Sequence, residues 1–152
     1  MKLAEALIQR ADAKKRIEQL RQRLARSVQA QEGETPPENP QDLLAEVDEV
    51  IAELTRLIQQ INRTNATTQI DDNRTLTDAL AERDTLMLRR GILTGAINSA
   101  IQQPRYGRME IKFYSTIDIA AVQKQVDDIS RQYRELDTRI QELNWTIELL
   151  EN

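Results

Sequence analysis

The chain has 152 residues, a net charge of −4 with both signs interspersed, 30% charged residues and only 3% aromatics. It contains no cysteine and no histidine, which excludes disulfides, thiol catalysis, thiolate metal sites and histidine acid–base or ligand chemistry. A mildly acidic balance calls for neither nucleic acid nor an anionic membrane as partner, and no apolar run approaches the ~18 residues of a transmembrane helix.

The first element is a helix over about 2–30, with Leu3, Leu7, Ile17, Leu20, Leu24 and Val28 on one stripe. It ends in Gln31-Glu32-Gly33-Glu34-Thr35-Pro36-Pro37-Glu38-Asn39-Pro40, where one Gly and three Pro cannot continue a helix. The second helix covers about 41–65. Pro40 suits its first turn, Asp42 and Glu46 suit the positive end of its dipole, and Leu44, Val47, Ile51, Leu54, Ile58 and Ile61 form a heptad seam. The third runs over about 76–102. Thr75 with Asp78 three residues later is a variant capping box; Leu76, Leu80, Met87, Ile97 and Ile101 mark its main stripe, helped by Ala79, Leu86 and Leu93. The fourth, about 117–150, keeps three–four spacing through Ile119, Val122, Val126, Ile129, Tyr133, Leu136, Ile140, Leu143, Ile147 and Leu150, with Ser115 as its cap candidate. Between helices three and four, Met109-Glu110-Ile111-Lys112-Phe113-Tyr114 is β-branched and aromatic enough to run as a short extended strap.

These elements predict a single all-α domain over 1–152: long antiparallel helices in a coiled-coil-like four-helix bundle. The alternative is two long helical hairpins that pair only between subunits. The cytoplasm is the expected location, because the charged first ten residues do not resemble a signal peptide. Asn62, Asn65, Asn73 and Asn144 each begin an Asn-x-Thr triplet, read here as chance and capping chemistry.

Some residues do not suit a solitary bundle. On helix three, Ala81, Leu88, Ile92 and Gly95 fall opposite the main stripe, and Gly91 and Gly95 would let another backbone come close. Trp145 and Leu149 lie off the seam of helix four. A helix that is apolar on two sides must be buried on two sides, so Leu88, Gly91, Ile92, Gly95, Trp145 and Leu149 are the expected interface of a homo-oligomer. The plainer alternative is that neighbouring loops cover them.

Cations form a second group. Arg83 and Arg90 sit within the apolar stripe of helix three, as Arg10, Lys14 and Arg21 do on helix one. Each must find a carboxylate, reach water or bind an anion. In the strap, Arg105, Tyr106, Arg108, Lys112 and Tyr114 interleave base with ring, as single-stranded nucleic-acid sites do, so nucleic acid is the second candidate partner. Asp71-Asp72-Asn73-Arg74-Thr75-Leu76-Thr77 with Glu82 faintly echoes a calcium loop, but Leu76 stands where the sharp turn needs Gly, and the aspartates read better as turn formers. No catalytic constellation, cofactor motif or small-molecule site stands out. The reading is a non-enzymatic scaffold or interaction protein.

The blocks Ile61-Asn62-Arg63-Thr64-Asn65, Asn73-Arg74-Thr75-Leu76-Thr77-Asp78-Ala79-Leu80, Glu110-Ile111-Lys112-Phe113, Glu135-Leu136-Asp137-Thr138-Arg139-Ile140-Gln141-Glu142 and Asn144-Trp145-Thr146 resemble a septicolysin-like family of small bacterial helical proteins. The resemblance implies a helical fold and, by its label, a membrane-active cytolysin. It carries no catalytic or ligand residues over to this chain.

Overall fold

The computed structural model describes residues 1–103 and 111–152. Four helices follow in order: α1 (Leu3–Ser27), α2 (Pro40–Thr67), α3 (Leu76–Ile101) and α4 (Ile119–Thr146). Among the described residues there is no strand, only two isolated bridges, so the fold class is all-α with helices packed as pairs. The chain divides into two compact units, Met1–Thr68 with Glu142–Asn152, and Gln69–Gln141.

In the first unit, α1 and α2 form an antiparallel hairpin. The pairing runs in opposite directions along the two helices: Arg16 Nη2 lies 2.9 Å from Glu46 Oε1, and Arg23 donates twice to Glu38, at 2.5 and 3.0 Å. The connection reverses through Gly33, whose φ of 85° is the left-handed region that glycine enters without a Cβ clash. Asn39 then caps α2, its Oδ1 accepting from the Gln41 N–H at 2.9 Å, and Pro40 occupies the first turn where no N–H is needed. Ala13, Leu20, Leu43 and Val50 are the buried cluster, with Ile17, Leu24, Val47 and Leu54 packed against it.

The buried seam of α2 is Leu43, Val50, Leu57, Ile61 and Thr64, with Val47 and Leu54 half-buried. This corrects the expected phase: Leu44 and Ile51 are exposed. Residues 43, 50 and 57 and residues 44, 51 and 58 are both apolar heptad series on adjacent strips of the helix. Either can be the seam, and packing against α1 selects the first.

α4 also ends earlier than its periodicity predicts. The Thr146 hydroxyl bonds the Glu142 carbonyl at 2.9 Å, and the chain then leaves the helix. Leu3 N–H donates to Ile147 O at 3.0 Å and Leu149 N–H to Met1 O at 2.8 Å, making an antiparallel bridge between Lys2 and Glu148. Lys2 Nζ lies 2.5 Å from Glu148, and this bond holds the Glu148 carboxyl below the usual carboxylate range. Leu150 N–H donates to the buried Thr64 hydroxyl at 3.0 Å. These long-range bonds satisfy backbone groups that a continuing helix would have used locally.

In the second unit, α3 opens with the expected capping box. Asp78 N–H donates to Thr75 Oγ1 at 3.2 Å, and Thr75 N–H donates to Asp78 Oδ2 at 2.8 Å. Hydrogen bonding from Thr75 lowers the Asp78 carboxyl from its ordinary range. Thr75→Ala is expected to destabilise the chain by about 1 kcal/mol in urea unfolding, since it leaves a first-turn donor unsatisfied. α3 and α4 run antiparallel here: Arg83 Nη1 donates to Asp137 Oδ1 at 2.8 Å, and Arg89 Nη2 reaches Gln125 Oε1 at 3.4 Å. Leu76, Ala79, Ile97, Val126, Ile129 and Ile140 are buried in this unit. The cap of α4 is Asp118, whose Oδ1 accepts from Ala121 N–H at 3.1 Å. Ser115, expected in that role, instead closes a local turn with Ile117. Of the expected strap, 104–110 lie outside the described residues; Ile111, Lys112, Phe113 and Tyr114 are exposed and belong to no helix or bridge.

Candidate functional site

At about 100° per residue, α3 places Leu76, Ala79 and Ile97 on its buried side, with Leu80, Arg83, Leu86 and Leu93 half-buried beside them. The opposite side carries Ala81, Thr85, Leu88, Ile92, Gly95 and Ser99, spaced alternately by four and three, and all six are exposed. Leu88 is 65% and Ile92 63% accessible. Thr85 turns its hydroxyl onto the Ala81 and Glu82 carbonyls, both at 3.1 Å, so its methyl is what the surface presents. A second heptad seam therefore lies in the open, along a helix whose first seam is already packed.

Gly91 and Gly95 belong to this surface. Among the described residues a Cβ added at either would meet nothing within 4 Å, so no close approach between them requires glycine there. Their missing side chains open a groove of about 380 Å³, lined with Met87, Arg90, Thr94 and Asn98. Gly91→Ala is accordingly expected to stabilise the unassembled chain by roughly 1 kcal/mol, the helix-propensity difference, in urea unfolding at dilute protein.

Leu88, Gly91, Ile92 and Gly95, four of the six expected interface residues, thus share one exposed helix flank. Trp145, at 58% accessibility, is exposed in the first unit. Leu149 is a correction: it is 6% accessible, buried by its own chain. The expected Trp145–Leu149 face assumed helical phase through 149, and α4 stops at Thr146.

The cations divide similarly. Arg83 is paired with Asp137 at 2.8 Å and lies 4.0 Å from Asp84, which answers its charge without an external anion. Arg90 is exposed at the edge of the glycine groove. On α1, Arg21 pairs with Glu18 at 3.5 Å. Arg105, Tyr106 and Arg108 lie outside the described residues, whereas Lys112 and Tyr114 are both exposed, Tyr114 to 86%.

A feature that the spacing of the sequence did not reveal is a cavity of about 310 Å³ lined by Ile70, Asp71, Arg74, Glu82, Leu86, Gln132, Glu135, Leu136 and Arg139. Asp71 folds the loop before α3: its Oδ1 accepts from Asn73 and Arg74 N–H groups at 3.0 and 2.9 Å. Its Oδ2 takes Arg74 Nε at 2.8 Å, and the same guanidinium reaches Glu82. Arg74 and the Asn73 backbone hold the Asp71 carboxyl below its usual range, while Asp71 and then Glu82 push the guanidinium up. The faint calcium-loop echo therefore has a different explanation: the cation between Asp71 and Glu82 is the chain's own Arg74.

The geometry defines an all-α protein of paired helices with an exposed heptad face on α3. The sequence pattern of a family of unknown function (DUF6847) matches residues 10–149, and the chain belongs to that family. It is also similar to a crystal structure described as a functionally unknown conserved protein from Corynebacterium diphtheriae, with 40% identity, 99% of each chain covered and a TM-score of 0.94. No curated protein matches the chain. These findings overturn the septicolysin-like resemblance, which was what suggested a cytolysin. The blocks behind it lie inside the matched 10–149 span, and the Thr75–Asp78 cap and the seam residues Leu76, Ala79, Leu136 and Ile140 within them are features that many helical hairpins share. Among the described residues no helix is long and apolar enough to cross a membrane.

Proposed function

We propose that this protein is a non-enzymatic interaction protein that assembles with itself through the exposed face of α3. The supporting observation is the exposure of Leu88 and Ile92 at the centre of a continuous heptad stripe. Each such side chain gains ~1.5–3 kcal/mol when fully buried, so two from each copy supply free energy comparable with the cost of association. Exposed apolar stripes of this kind mark contact surfaces. The composition fits the role, because the chain lacks histidine, the commonest general base, and cysteine, the most readily activated nucleophile. Size-exclusion chromatography with light scattering at tens of micromolar should return a dimer or larger species, and a monodisperse monomer there overturns the proposal.

A second reading is RNA binding by the basic–aromatic segment, supported by the exposure of Lys112 and Tyr114. It requires a mobility shift with single-stranded or transfer RNA that weakens steeply with salt; absence of that shift rejects it.

A further inference from the structure

We infer that α3 pairs with α3 of a second copy in parallel, with the two helices in register. This rests on the self-association proposed above and adds its direction. Along the exposed stripe, Thr85, Ile92 and Ser99 occupy one set of core heptad positions and Ala81, Leu88 and Gly95 the other. Isoleucine in the first set with leucine in the second favours two parallel strands. The hydroxyl of Thr85 is already bonded within its own helix, so burying this residue leaves no unmet donor.

Charge decides the direction. Asp84 flanks the stripe on one side and Arg89 on the other, five residues later, and both are exposed. In a parallel pair in register, a residue on the first flank meets the residue five further along on the neighbour's other flank. Asp84 then faces Arg89 of the second copy, and the two-fold axis makes that ion pair twice. Among the described residues neither group is strongly held at home: Asp84 lies 4.0 Å from Arg83, and Arg89 reaches Gln125 at 3.4 Å.

Antiparallel arrangements do worse on the same residues. Centring the stripe on itself opposes Leu88 with Ile92 but sets Arg89 against Arg89 of the second copy and leaves Asp84 facing Asn98. Sliding by one heptad brings Glu82 toward Arg89, yet Glu82 is already engaged by Arg74, and Ile92 would then face only Ala81. Like charges across a coiled-coil flank disfavour a pairing, and opposite charges set partner choice and orientation.

The absence of native cysteine makes the test direct. Ala81→Cys and Ser99→Cys introduce thiols at exposed positions near opposite ends of the stripe, where neither alters the core. Under oxidised glutathione, each variant alone is expected to give a disulfide-linked dimer, because parallel helices bring like positions within disulfide reach. Cross-linking only in an equimolar mixture of the two variants overturns the parallel arrangement, and so does a light-scattering dimer that cross-links under neither condition. A monomer by light scattering overturns the self-association itself. As a second readout, Asp84→Arg should weaken dimerisation about tenfold at low salt, and Asp84→Arg with Arg89→Asp should restore it. A double variant as weak as the single one overturns the cross-pairing.

Discussion

Leu20→Ala should lower the unfolding free energy by roughly 2–5 kcal/mol in urea, with an unchanged m-value. Leu20 is fully buried in the α1–α2 hairpin, within the cluster of Ala13, Leu43 and Val50. Truncation removes transfer free energy and leaves a cavity that two long helices, held at Arg16–Glu46 and Arg23–Glu38, close only in part. Domains are stable by about 5–15 kcal/mol, so this one change takes a large share. Val28→Ala is the matched control: its side chain is exposed beyond the last turn of α1 and should stay within about 0.5 kcal/mol. Equal effects of the two substitutions would mean that the seam does not carry the hairpin.

Leu88→Glu separates assembly from folding. In the lone chain this side chain faces solvent, and Leu and Glu are similarly good helix formers, so circular dichroism and dilute-protein stability should be nearly unchanged. In an assembled pair the carboxylate would enter the middle of an apolar seam, and an unpaired buried charge is strongly unfavourable. The dimer dissociation constant is expected to rise on the order of 100-fold or more, read as a monomeric mass at concentrations where the parent chain is dimeric. A mass that stays dimeric would reject the α3 face as the contact.

The candidate face was legible for a physical reason. Ala81, Leu88, Ile92 and Gly95 stand opposite Leu76, Ala79 and Ile97 on one helix, and helical geometry alone places two apolar sides there. The Arg74 cluster was not legible as a site. Its residues show spacing that suggests a metal loop, and only the folded loop shows Arg74 turned back between Asp71 and Glu82. Arg83 was recognisable as a charge needing an answer, but Asp137, 54 positions away, could not be named as that answer from the sequence.

What the sequence determined by itself is local. Four helices, the proline-rich reversal before Pro40 and the Thr75–Asp78 cap follow from side-chain periodicity, missing N–H groups and hydrogen bonds spanning three residues. Tertiary structure decided the rest: which of two adjacent heptad series on α2 is buried, where α4 gives way to the bridge with the N-terminal segment, and why Leu149 turns inward while Trp145 stays out. Those choices depend on segments distant in the chain, and a heptad pattern repeats its own options at every strip until a partner helix covers one of them.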